Sequence, residues 1–226
     1  MMVPFVDTHT HHLPEKGENI FSCIDLSSSV FFPMENEEKN FLFSLGIHPA
    51  RTEQSSIKDL HILLEKHSSF AAIGECGIDK SIPVDMEKQK ELFLQQAFLA
   101  EELQKPLIIH CVRAWDILYE CAKKFPVKGR RWLIHSFRGS LTLAEDLLRH
   151  NFTLSLAPQM VKNMPERVKK MRQYPFLLET DDTKEELALL YSTASTLCHI
   201  SMEGLKERNW ELFCDFFRFS REKGRE

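Results

Sequence analysis

No two cysteines in this 226-residue chain form a CxxC pair. The six present, Cys23, Cys76, Cys111, Cys121, Cys198 and Cys214, lie inside apolar runs and read as buried free thiols. Cys76 and Cys111 stand beside candidate site residues, which keeps reactivity open for those two. Glycine is scarce, with eight residues, and this argues against a repeat or low-complexity chain. No apolar run reaches the roughly 18 residues that a membrane-spanning helix needs. The start, Met1-Met2-Val3-Pro4, lacks a basic segment leading into an apolar core, so it does not read as a secretory signal, and a cytoplasmic location is expected. Lys and Arg total 29 against 33 Asp and Glu, a net charge of -4. That balance excludes a broad basic face binding nucleic acid non-specifically, so any phosphate chemistry has to be local.

What is there is a hydrophobic fraction of 43 % and an aromatic fraction of 10 %, enough to bury a core without disulfide staples. The length suits one barrel-sized domain over residues 1–226, and no linker or internal repeat divides it. Short apolar runs alternate with longer amphipathic ones. Candidate strands are residues 3–8, 20–26, 41–46, 70–75, 107–111, 132–135, 152–156 and 176–180. Most are rich in Phe, Ile, Leu and Val and do not alternate, the pattern of parallel strands covered on both faces. Between them, residues 55–66, 84–104, 115–124, 140–150, 165–172 and 184–194 carry apolar residues at helical spacing, and 202–219 reads as a terminal helix. Ser140 and Asp85 are placed to cap their helices, and Asp182 or Thr183 to cap the helix after the last strand. Repeated strand–helix units imply a parallel sheet with right-handed crossovers, and eight strands imply closure into a TIM-like (β/α) barrel. One unit reads as reduced: residues 33–40 are polar, acidic and too short for a usual helix.

Metal-competent residues recur at the C-terminal ends of these strands. His9 and His11 follow the first, Glu75 ends the fourth, His110 the fifth and His135 the sixth, and Asp181 follows the eighth. In a barrel those ends open on one face, where active sites form. Each residue has an ordinary reading alone. A lone histidine after an apolar strand is commonly a hydrogen-bonded core residue, and Asp181 could belong to a helix cap. His9 and His11, two apart in extended chain, point to one side and can reach one ion, whereas His12 reads equally as a solvated neighbour. A carboxylate at the end of an apolar strand, as at Glu75, is costly unless paired or metal-bound. Six such residues on one barrel mouth favour a metal site. Imidazoles with carboxylates suit Zn²⁺, Mn²⁺ or Fe, and Mg²⁺ less well. Four histidines and two acids exceed what one catalytic zinc normally uses, so two divalent ions bridged by a carboxylate are expected.

At these residues the chain resembles the TatD-type metal-dependent hydrolases, a deoxyribonuclease family among the amidohydrolase-like barrels. The matching stretches are Asp7-Thr8-His9-Thr10-His11, Gly46-Ile47-His48-Pro49 and Gly74-Glu75-Cys76-Gly77-Ile78-Asp79. Further on come residues 106–114 around His110-Cys111-Val112-Arg113, then His135-Ser136-Phe137-Arg138-Gly139-Ser140 and Glu179-Thr180-Asp181. Gln89, Phe93, Gln96, Ala100 and Glu102 fit the family's helix pattern, and Asn209 and Phe213 its terminal signature. The resemblance runs from Val6 to Phe213. It implies that His9, His11, Glu75 and Asp181 hold one ion and that Glu75, His110 and His135 hold the other. Asp181 would accept the proton of the attacking water. His48 would contact a substrate phosphate, with a loop histidine fixed by Pro49 as its competing reading, and Arg113 would orient the substrate or support the site, with an ordinary ion pair as its competing reading. Asp79 would support the site or cap a turn.

Two departures from the family pattern stand out. The segment between the HxH and GIHP motifs is clipped. After ETD, where the family continues with a proline and an extended loop lining the substrate groove, Thr183-Lys184-Glu185-Glu186 reads as the start of a helix. The function expected is hydrolysis of phosphate ester bonds through a metal-activated water, as a DNase or 3′ exonuclease, with DNA or a small phosphate-containing molecule as substrate and no membrane partner. A small-molecule amidohydrolase or phosphomonoesterase with the same ions is the alternative, and a non-catalytic metal-binding barrel the third reading.

Overall fold

The computed structural model describes residues 3–13, 20–27, 40–67 and 69–219. Eight parallel strands run in chain order: β1 (Phe5–Thr10), β2 (Ile20–Asp25), β3 (Phe41–Leu45), β4 (Phe70–Asp79), β5 (Leu107–Val112), β6 (Trp132–Ile134), β7 (Phe152–Leu156) and β8 (Leu177–Leu178). Adjacent strands pair throughout. The ends of the sheet meet at a parallel bridge between Thr10 and Asp181, where the Asp181 N–H donates to His9 O and the His11 N–H to Asp181 O, both at 3.0 Å. The barrel thus closes through residues of the HxH and ETD motifs.

Helices cover the sheet: α1 (Ile57–Lys66), α2 (Met86–Glu102), α3 (Trp115–Ala122), α4 (Leu141–Arg149), α5 (Pro158–Asn163), α6 (Pro165–Met171), α7 (Leu187–Cys198) and α8 (Met202–Phe217). Asp85 and Ser140 cap α2 and α4 as expected, each side chain accepting a backbone N–H three residues on. The cap expected at Asp182 or Thr183 is corrected. Residues 183–186 are not helical, α7 begins at Leu187, and its N-cap Glu186 makes no side-chain bond. Glu185 instead pairs with Lys162 of α5 at 2.6 Å. Helix α5 itself was not foreseen. Pro158 starts it and Pro165 starts α6 directly afterwards. The reduced unit expected at residues 33–40 lies outside the described residues except for Asn40. Among the described residues, no helix is long and apolar enough to cross a membrane.

The barrel interior changes character along its strands. Val6, Phe21, Cys23, Ala72, Ile108, Leu133 and Leu177 form one buried cluster with Trp210 and Phe213 of α8 packed onto it. Phe21 meets both rings edge-on, at 5.3 and 5.6 Å. Two residues on from Cys23, Ile108, Leu133 and Leu177, on the same face of extended chain, come Asp25, His110, His135 and Glu179. From Val6 to His9 and from Ala72 to Glu75 the step is three residues, and the register shifts within both intervals, between Asp7 and Thr10 in β1 and between Ile73 and Cys76 in β4. An irregularity of this kind re-aims a side chain across the pleat, and here it brings His9 and Glu75 to the polar end. Strand β4 also runs four residues past Glu75, and His110 lies within β5 rather than at its end. Gly77 permits the first of these, because a Cβ on it would collide with the His110 carbonyl of the adjoining strand.

Candidate metal centre

Glu75 stands at the middle of the polar end, nearly buried, and its two carboxylate oxygens face different imidazoles. Oε2 lies 3.8 Å from His9 Nε2 and 3.7 Å from His11 Nε2. Asp181 Oδ1 lies 3.8 Å from both of those nitrogens. Oε1 lies 2.8 Å from His110 Nδ1 and 2.8 Å from His135 Nε2. All six residues expected as ligands are therefore brought together. Several subsets, among them His9, His11 and Asp181, and His9, Glu75 and His135, offer ligand atoms close enough to share an ion.

The donors fit a divalent cation. His9 is wholly buried, and neither ring nitrogen has a hydrogen-bond partner, an arrangement that costs about 1–3 kcal/mol where nothing else satisfies it. Burial, reinforced by the charge on His135, pushes the pKa of His9 down to about 4, so the ring is neutral at ordinary pH and its lone pair is free to coordinate. Tetrahedral ligands about 2.0–2.2 Å from an ion would stand roughly 3.3–3.6 Å apart, close to the spacing around Glu75 Oε2. On the other side, burial opposes ionisation of both Glu75 and His135, but their mutual attraction prevails. It holds Glu75 well below the ordinary carboxylate value, with His110 assisting, and His135 well above the ordinary imidazole value, with Glu179 assisting.

Behind the ligands stands a ring of acceptors. Asp79 Oδ2 takes the second nitrogen of His110, Nε2, at 2.9 Å, while its Oδ1 accepts the Ser81 N–H at 2.7 Å, so Asp79 both orients a ligand and closes a turn. Glu179 Oε1 lies 3.6 Å from His135 Nδ1. The Ser155 hydroxyl and the Ser136 N–H each donate to the Glu179 carboxylate at 2.5 Å. Asp25 Oδ2 lies 3.4 Å from His11 Nδ1. Neither Asp25 nor Glu179 was singled out from the sequence, yet both carry the signal that marked Glu75, a carboxylate following a buried apolar strand segment.

Each of the remaining candidates has a defined place. The Ala50 N–H donates to His48 Nδ1 at 3.1 Å, which leaves the proton of the neutral ring on Nε2. That nitrogen faces Glu75 Oε1 at 3.6 Å. Burial lowers the pKa of His48 despite the pull of Glu75, so the ring is a neutral donor toward the centre. His12 turns away, its Nε2 meeting the Asp182 carbonyl at 3.1 Å. Arg113 is exposed on the rim of a groove of about 430 Å³ that it shares with His110, Trp115, His135 and Arg138. It forms no ion pair with any described residue. Arg113, Ser136 and Asp181 all have φ between 47 and 58°, so left-handed backbone clusters at three strand ends around the groove, where it costs of order 1–3 kcal/mol per residue. All six cysteines are free. Burial raises the thiol pKa of Cys76 and pushes that of Cys111 up to about 12, which keeps both protonated.

Side chains from α2 fix the loops that carry these groups. Gln96 accepts the Ile47 N–H at 2.7 Å and donates to Ile47 O at 3.0 Å, beside His48. Gln89 does the same for Asp79.

The TatD-related DNase family model matches residues 6–218. An uncharacterized metal-dependent hydrolase of Bacillus subtilis is 32 % identical over 64 % of this chain and 60 % of its own length. A human protein named 3′-5′ RNA nuclease is 30 % identical over 72 % of this chain but only 22 % of its own, so the chain spans less than two thirds of either relative. The crystal structure of a TatD homologue from Escherichia coli shares the fold with a TM-score of 0.77, at 20 % identity, over 96 % of this chain and 99 % of that one.

Proposed function

The chain belongs to the TatD-related DNase family of metal-dependent hydrolases, and from that premise we propose that it cleaves phosphodiester bonds at a nucleic-acid 3′ end, using two divalent ions. The observation that carries this reading is the split of Glu75, with one carboxylate oxygen toward each imidazole pair. His9, His11, Glu75 and Asp181 would hold one ion and Glu75, His110 and His135 the other. Bound there, divalent ions lower the pKa of an attacking water and neutralise charge on the phosphate.

The protein's own groups supply the rest. Asp181, fixed by two backbone bonds to the His9–His11 segment, takes the proton of the attacking water. His48 donates from Nε2 to a non-bridging phosphate oxygen. Arg113 and Arg138 attract a neighbouring phosphate along the groove. The overall negative charge confines recognition to this groove, which suits a strand end better than the middle of a duplex. The test is digestion of end-labelled single-stranded DNA and RNA with Mn²⁺, Mg²⁺ or Zn²⁺, comparing wild type with Glu75→Ala. A loss of about 10³-fold or more is expected in the variant, and equal activity in both removes Glu75 from the mechanism.

The second reading, a small-molecule amidohydrolase or phosphomonoesterase at the same centre, draws on the short run 182–186 between β8 and α7, which offers little wall for a long substrate. Turnover of phosphate monoesters or lactones without polynucleotide cleavage would favour it.

A further inference from the structure

We propose that Asp25 is a positioning residue for the metal centre, setting His11 to coordinate through Nε2. The assignment rests on the metal-centre reading above. The side chain of Asp25 is only 1 % exposed at the end of β2. Among the described residues no Lys or Arg pairs with it, and a buried carboxylate without a permanent cation calls for a reason.

The two oxygens are used differently. Oδ1 is taken up by donors: the Ser27 hydroxyl at 2.7 Å, the Glu75 N–H at 3.1 Å, the Ser27 N–H at 3.3 Å and the Ser44 hydroxyl at 3.4 Å. Those bonds need an acceptor, not a charge, and an amide oxygen would serve. Among the described residues, Oδ2 is paired with His11, at Nδ1. The opposite nitrogen, Nε2, points between Glu75 Oε2 and Asp181 Oδ1. A carboxylate at Nδ1 favours the tautomer with the proton there, which leaves the Nε2 lone pair for the ion. Asp25 also holds the Glu75 backbone, so one carboxylate locates two of the ligands.

Asp79 is hydrogen-bonded to His110 at 2.9 Å, and Glu179 lies 3.6 Å from His135 Nδ1, within ion-pair but not hydrogen-bond distance. Among the described residues, no carboxylate pairs with His9 Nδ1; its ion pairs are at Nε2. Three of the four central imidazoles thus have a carboxylate at the nitrogen turned from Glu75.

Asp25→Asn separates the two roles. Its amide oxygen can keep the Oδ1 bonds, while its NH₂ would meet His11 Nδ1 as a donor and favour the proton on Nε2, the form that cannot coordinate. Zn²⁺ affinity is measured by competition with a chromophoric chelator, together with nitrogen-15 spectra of the histidine rings. The variant is expected to bind Zn²⁺ about 10–100-fold more weakly, with Ser44→Ala close to wild type. In Zn²⁺-loaded wild type, His11 is expected to be protonated at Nδ1 and to coordinate through Nε2. Unchanged affinity in Asp25→Asn, an equal loss in Ser44→Ala, or coordination of His11 through Nδ1 overturns the proposal. Should the variant fail to fold, the wild-type spectra decide alone. A wild-type chain that binds no Zn²⁺ removes the metal-centre reading and this assignment with it. Binding by wild type with no change in Asp25→Asn strikes Asp25 only.

Discussion

At the apolar end of the barrel interior, Ile108, Leu133 and Leu177 are wholly buried, with Trp210 and Phe213 laid against their cluster. One pleat along the same strands stand His110, His135 and Glu179. The two ends share backbone and hydrogen-bond ladder but obey opposite physics. The floor gains from removing apolar area from water and needs only volume and shape. The mouth carries buried titratable groups, an imidazole without partners and left-handed backbone, features that oppose folding and are retained where they serve chemistry. Stability and function are therefore separable along a strand by a two-residue step.

The largest expected effect tests the floor. Trp210→Ala removes the biggest ring against Phe21 and should cost about 3–5 kcal/mol, measured by denaturant unfolding of the chelated protein. Metal affinity under folding conditions should hold. If Zn²⁺ binding weakens in step with stability, the two ends are not separable and the contrast fails.

The next effect tests the mouth. Zn²⁺ at about 100 times its Kd should stabilise the chain by about 2.7 kcal/mol. The pH dependence then has opposite signs with and without the ion. In the chelated protein His135 stands above its ordinary pKa of 6.5, so its pairing with Glu75 is whole below that value and is lost as pH rises through the folded pKa. The ion needs the neutral ring, so protons compete with it and its contribution grows as pH rises. The difference in unfolding temperature between loaded and chelated protein should widen with rising pH through the imidazole range. A difference that narrows would mean His135 is not displacing a proton for metal.

Legibility from sequence followed the same divide. The barrel was readable because strands covered on both faces leave continuous apolar runs, and His9, His11, Glu75, His110, His135 and Asp181 because polar residues interrupt or end those runs. The strand expected at 70–75 runs on to Asp79 because residues 76–79 pair with β5, a partner that no local pattern records. Residues 183–186 look helical by local preference, since Lys and Glu are good helix formers, but α7 starts only at Leu187 and Glu185 is engaged with Lys162 of α5 instead. Asp25 follows an apolar run on β2 much as Glu75 does on β4, but nothing in its own segment marks it as part of a site. Its role depends on His11 and Glu75 arriving from other strands, which no local pattern records.

The smallest effect tests whether a change near the mouth can act as scaffold alone. Ser140 caps α4 directly after the groove residues Ser136–Gly139, its hydroxyl accepting the Leu143 N–H at 3.1 Å. Ser140→Ala should cost about 1 kcal/mol through the unsatisfied helix end, and Ser140→Asp should restore most of it. Because Ser140 touches no ligand, Zn²⁺ affinity should not move in either variant. A fall in affinity with Ser140→Ala that Ser140→Asp reverses would show that the α4 cap helps to hold His135 in place, and the boundary between scaffold and site would then lie beyond the strand ends, inside the loops that follow them.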